Sequence, residues 1–304
     1  MTPRSLFSTV RTGPRPEATV EYEVRLSHRS GLRALFILAA LLGGSKPVWA
    51  DPPKDEKALA EAFRAFAKRE ALTHSIRLEG SDRPLTLHPE PVLTWSNPVM
   101  GTIYGDIFVW TENGRPEAVA SIYRFYSPDP HRANEFHSLA LGKLTAERDG
   151  VAVWRPSRPG LELKPIPGAP APADSAAGRL RQMRALAQEF TGRQTNRAGV
   201  DRDMRLLTQP IYRYENTKGS LIDGGLFVFV QGTDPEVFLL IEARLPREGA
   251  PAWLFGATRM HGINLRLNHR GRAIWNAPEI PTSQVFDSRE PYTVIRFETP
   301  PGEP

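Results

Sequence analysis

The chain has 304 residues and no cysteine, with 39 Lys and Arg against 34 Asp and Glu. Lacking cysteine, it can form no disulfide, no Cys-ligated zinc site, no thiol nucleophile and no lipidated cysteine after a leader. Residues 1–50 hold seven of the basic and three of the acidic side chains, so the other 254 residues carry 32 and 31, which leaves no excess positive charge to grip nucleic acid.

In chain order, the first segment reads as a leader. Arg25, Arg29 and Arg33 precede an apolar run over 34–42, then Gly43-Gly44 and a Val48-Trp49-Ala50 end. A positive stretch, a short apolar run and a small-residue end make a secretion signal, with cleavage predicted after Ala50. Nine apolar residues fall short of the roughly 20 that span a bilayer. The expectation is an exported protein, periplasmic or extracellular, with no membrane span once the leader is removed.

Residues 55–72 predict an amphipathic helix, with Leu59, Ala62, Phe63 and Phe66 on one stripe. Short β-type runs then begin near Ile76. A hairpin is predicted where 106–111 meets 117–125 through Asn113-Gly114, the pair that suits a type I′ turn. Runs 136–141 and 144–154 complete this part. Prolines 156, 159, 165, 167, 170 and 172 mark a bridge unable to supply the donors of a central strand. A second helix is predicted over 176–190, followed by strands over 210–214, 225–230, 237–244, 253–260 and 265–275.

The second series matches the first at an offset of about 119 residues. Pro91, Val92, Trp95 and Asn97 recur as Pro210, Ile211, Tyr214 and Asn216. Ile107-Phe108-Val109-Trp110 recurs as Leu226-Phe227-Val228-Phe229, and Gly150 with Trp154 as Gly271 with Trp275. The predicted fold is therefore α+β and internally duplicated, each unit an amphipathic helix followed by an antiparallel meander, the two sharing a core. The expected parts are a leader over 1–50, a first repeat over 51–155, a Pro-rich linker over 156–174 and a second repeat over 175–304. Runs 226–230 and 237–243 are apolar at nearly every position, so both faces of their strands should be covered. One continuous curved sheet or half-barrel closed by two helices would meet that condition too, and would have room for an apolar ligand.

Polar residues found in only one copy are the candidates for chemistry. Glu135 and His137 flank Phe136, whereas the second copy has Leu254 and Gly256 at those places. On a strand the pair shares a face. With Asp129 and His131 they would offer ligands to a divalent metal, and with Ser138 a base and a nucleophile; a structural ion pair is the plainer reading. His269, Arg270 and Arg272 would form an anion site on a turn. Trp95, Trp110 and Tyr123 would line a binding groove, or pack in the core. No phosphate-loop, dinucleotide, nucleophile-elbow or zincin motif occurs, and no cofactor is called for. The chain reads as a non-catalytic extracytoplasmic binding or carrier protein with a small-molecule site between its repeats. Its alternatives are an envelope structural protein that binds another protein, and a hydrolase or metal site around Glu135 and His137.

Overall fold

A computed structural model of the chain describes residues 54–127, 129–215 and 220–297. The leader, its cut after Ala50, and Asn216 lie outside them. Helix α1 (Lys54–Leu72) buries Phe63, Ala67 and Ala71, spaced by one helical turn. It is followed by β1 (His74–Leu78), β2 (Thr86–Leu87), β3 (Leu93–Ser96), β4 (Ile103–Glu112), β5 (Arg115–Phe125), β6 (His131–Ser138), β7 (Leu144–Arg148) and β8 (Val151–Trp154). After the short β9 (Lys164–Pro165) comes α2 (Ala176–Gln188), capped by Ser175, whose Oγ accepts from the Gly178 N–H at 3.1 Å. The remaining strands are β10 (Phe190–Thr195), β11 (Asp201–Leu206), β12 (Tyr212–Tyr214), β13 (Leu221–Gln231), β14 (Asp234–Arg244), β15 (Ala252–Arg259), β16 (Asn264–His269), β17 (Arg272–Ala277) and β18 (Tyr292–Phe297).

The balance is more strongly β than expected: strands take up 48% of the chain, against two α-helices among the described residues. The surplus comes from polar segments. β10 and β11 carry only two apolar side chains that reach full burial, Phe190 and Met204, so neither shows the alternation that marks a strand in sequence.

Strands β17-β16-β10-β11-β13-β14-β15-β9 form one sheet in that order, curled into a half-barrel. The first part of the chain makes a three-stranded sheet, β1-β7-β8, and a six-stranded one, β18-β6-β5-β4-β2 with β3 beside β4. Met183, Leu186 and Ala187 of α2 pack on Phe227, Phe229 and Leu239 inside the half-barrel. Phe63 and Ala67 of α1 likewise meet Phe108, Trp110 and Phe136. Between the two sheets lies a third core, joining Trp95, Val109 and Val119 to Leu226, Val228 and Phe238. This explains the two-sided apolar strands: in β13 and β14 alternate residues face α2 and the opposite sheet.

Several local structures occur at both members of a matched pair. Trp95 lies over Gly105, where an added Cβ would sit 2.1 Å from the indole, and Tyr214 lies over Gly224 at 2.3 Å. Glu70 at the end of α1 holds Arg148 in a bidentate pair at 2.9 and 3.0 Å; Glu189 at the end of α2 holds His269, the match of Arg148, at 2.8 Å, and the adjoining Arg270 at 3.0 and 2.7 Å. Asp149-Gly150 and Arg270-Gly271 both turn with positive φ, 51° and 80° against 49° and 78°. These turns break the runs 144–154 and 265–275, each expected as one strand, into hairpins. Asn113-Gly114 forms the predicted turn, at φ 49° and 86°.

The Pro-rich segment runs along an edge, burying Leu161 and Ile166 and pairing through β9 with Leu254 and Phe255 of β15. The C-terminal β18 crosses the other way and pairs with β6 over six residues, Tyr292 opposite His137.

Candidate functional site

The half-barrel has a seam. Its outer strands β15 and β17 approach each other without pairing, and beyond Phe255 the free edge of β15 has no strand neighbour among the described residues. The matching edge of the first part, on β6, is covered along most of its length by β18. A cavity of about 560 Å³ opens at the seam, between Arg259 and Trp275 on one side and His137 and Tyr292 on the other. A second, of about 390 Å³, continues from it under Leu161, Phe255 and Ile274, and shares Arg158, Gly160, Ala257 and Trp275 with the first. Their sizes lie within the ~300–1,000 Å³ of small-molecule sites.

Chain register sets the polar groups at the mouth. Glu135 and His137 share a face of β6, as alternation requires. Pairing with β18 puts Tyr292 beside them, its hydroxyl donating to Glu135 Oε1 and its ring centroid 6.2 Å from that of His137. His137 Nδ1 lies 2.8 Å from the Ser138 carbonyl, the geometry of an N–H donating to it, which leaves Nε2 without a protein partner among the described residues. Burial, with Arg259 and Arg158 nearby, pulls the His137 pKa down to about 3, so the ring is neutral.

Arg259 closes the cavity from β15 and is 6% exposed. One guanidinium nitrogen donates to the Pro278 carbonyl and the group lies 5.9 Å from the Tyr292 ring centroid, while Nη1 has no partner. Among the described residues no carboxylate pairs with it. Glu279, Asp287 and Glu290, also on the cavity wall, face Arg197, Arg289 and Arg158. Burial lowers the Arg259 pKa, the reverse of the shift an ion pair would give.

Behind the mouth, between the sheets, three carboxyls gather. Burial raises Glu135 to about 8 and Asp234 to about 6, and holds Glu236 well above its ordinary value, with Asp234 and Glu135 adding to the last. Asn97 donates to Asp234 at 3.3 Å, and the Gln194 amide, turned with its nitrogen toward Glu236, lies 3.1 and 3.3 Å from the carboxyl oxygens.

The residues singled out from sequence are scattered among these features. Glu135 and His137 are neighbours whose hydrogen bonds go to Tyr292 and to Ser138, not to each other. Ser138 is fully buried, its Oγ accepting from the Ala140 N–H at 3.3 Å. Asp129 is exposed, and His131 stacks on Phe125 with centroids 4.3 Å apart. Among the described residues no three His, Asp or Glu side chains are grouped to hold a metal ion. His269 and Arg270 both contact the Glu189 carboxylate, which fills the place an external anion would take, and Arg272 is exposed. Trp95 and Trp110 lie in separate cores, and the Tyr123 ring packs 6.0 Å from that of Trp95.

Sequence reasoning missed Arg259, Trp275, Tyr292, Asp234 and Glu236. The one-copy filter that selected Glu135 selects Arg259 as well, since the position 119 residues earlier is Ala140. Tyr292 belongs to no copy and gives no such signal.

Compared with known proteins, the chain matches no family model, no curated protein and no solved structure. Fold and cavity thus define only a class: a cysteine-free, mainly β protein with a charged cavity where its two main sheets meet.

Proposed function

We propose that this is an exported, non-catalytic binding protein, built from one helix-and-meander unit written twice, with a small-molecule site at the barrel seam. For duplication speak the matched glycines under Trp95 and Tyr214, the matched contacts Glu70–Arg148 and Glu189–His269, and the common order of neighbours: β8-β7-β1, then β2-β4-β5-β6, against β17-β16-β10-β11-β13-β14-β15. For export speak the three arginines, the apolar run and the Ala50 end.

The binding reading is carried by one observation, the unequal fate of two matched tryptophans. Trp154 is buried and its indole N–H donates to the Glu290 carbonyl at 2.9 Å. Trp275 is only partly buried and lines both cavities of the seam. The same scaffold position is closed in one unit and left open to a cavity in the other. A partly exposed aromatic at the open seam of a half-barrel is a surface for a ligand.

Native mass spectrometry of the protein purified without denaturation from its source tests this. An organic mass excess that disappears on unfolding is expected. The bare polypeptide mass would overturn it if, in addition, neither neutral nor charged amphiphiles altered the emission difference between the protein and its Trp275→Phe variant.

A further inference from the structure

The chemistry of the cavity mouth goes beyond the presence of a site. We infer that the seam takes an amphiphilic anion: a carboxylate or phosphate head seated on Arg259, with an apolar body lying along Trp275, Phe255 and Leu161. The inference rests on the binding reading above.

Arg259 is nine-tenths buried and, among the described residues, has an Nη1 without a hydrogen-bond partner and pairs with no carboxylate. A lone buried guanidinium is costly, because burial removes water and nothing on the protein replaces it. Arg115, buried to the same degree, is neutralised: it meets Glu117 at 2.8 Å and Glu242 at 2.9 Å, and the partly buried Arg179 meets Asp223 at 2.9 Å. Acidic residues do line the same cavity, yet each faces a different arginine. No described residue supplies a counter-charge for Arg259, and a bound anion would. A planar fork with a free N–H suits a carboxylate or phosphate oxygen, and charge-assisted bonds of this kind are roughly twice as strong as neutral ones.

His137 adds a polar group to such a head site: its Nε2 lacks a protein partner among the described residues, and the residue lines the cavity. Away from Arg259 the second cavity offers apolar side chains in sequence, with charged ones beside them: Leu161 rests over Gly256, where a Cβ would sit 2.6 Å from it, and Phe255, Ile274 and Trp275 continue along the seam next to Arg158, Glu162 and Lys164. A lone cation at one end and a run of apolar side chains beyond it suit an amphiphilic anion.

Titrating the full chain, leader removed, with decanoate, decyl phosphate and decanol separates the possibilities. The two anions are expected to bind at least about tenfold tighter than the alcohol, a preference of about 1.4 kcal/mol. R259Q should bring all three within about twofold of one another while decanol affinity stays as it was. A tighter decanoate or a tighter decyl phosphate identifies the head, and either supports the inference. Equal binding of all three to the unaltered protein would overturn the anion and leave the cavity reading standing. Binding of none would overturn both. A preference that survives R259Q would overturn the role given to Arg259. If R259Q fails to fold, the ranking on the unaltered protein still decides between anion and neutral ligand.

Discussion

Two buried arginines, Arg115 and Arg259, differ at the scale of single residues in one respect that sets opposite expectations. Arg115 bridges Glu117 and Glu242, both buried, and also donates to the Leu139 carbonyl at 3.2 Å. Arg115→Met would leave two carboxylates facing each other in the core, a change that costs about 3–5 kcal/mol for a broken buried pair. Arg259→Met removes a buried charge that has no carboxylate partner among the described residues, only the Pro278 carbonyl and the Tyr292 ring, and is expected to raise the unliganded protein's stability by about 1 kcal/mol. Urea unfolding of the two variants checks both signs at once. The same stability order for both would mean that Arg259 has a counter-charge after all.

Among the elements, the matched glycines are the sharpest test of how the two parts are built. Gly105 and Gly224 lie on strands, where glycine is normally weakening, and each is there because an aromatic ring occupies the space of a Cβ. Gly105→Ala and Gly224→Ala are each expected to cost about 1–3 kcal/mol by overpacking, seen as similar falls in denaturation midpoint. Much at this scale was legible in the sequence. The two helices, Asn113-Gly114 and the two-sided apolar strands carry their own periods and turn chemistry, although the inward line of α1 runs through Phe63, Ala67 and Ala71 and leaves Ala62 exposed. β10 was not legible, because its inward positions are Phe190, Gly192 and Gln194. Gly192 is small to admit Met204 and Phe229, whose atoms a Cβ would meet at 2.8 and 3.0 Å. A strand that buries its face with a neighbour's side chains leaves little pattern of its own. The seam cavity was illegible for another reason: His137, Arg158, Arg259, Trp275 and Tyr292 come from five separate segments and meet only through long-range pairing.

Across the whole molecule, buried titrating groups on the two sides of neutrality set a pH profile. Carboxyls raised by folding contribute most below their unfolded value of 4.5 for Glu, and that contribution is lost as pH rises through about 6 for Asp234 and about 8 for Glu135. Histidines held neutral act in the opposite sense. His137 and His261, lowered to about 3 and about 4 by burial, contribute most above their unfolded value of 6.5 and lose it as pH falls toward those numbers. Between about 4.5 and 6.5 the two slopes oppose each other, so maximal stability is expected in mildly acid solution, with a decline toward pH 8. Thermal melts across pH 4–9 test this, and Glu135→Gln, which can still accept from Tyr292, should flatten the alkaline limb. A melting temperature still rising from pH 6.5 to 8 would contradict the protonated cluster.

The crossing of β9 and β18 has a consequence for the order in which the chain is made. The edge of the first main sheet is supplied by residues 292–297, the last described, and Trp154 is tied to Glu290 in the same stretch. During synthesis, then, the half that emerges first keeps an unpaired edge on β6 until residues 292–297 have been made. Completion of the first sheet is thereby tied to the arrival of the second half, and a fragment ending before residue 292 would keep that edge open.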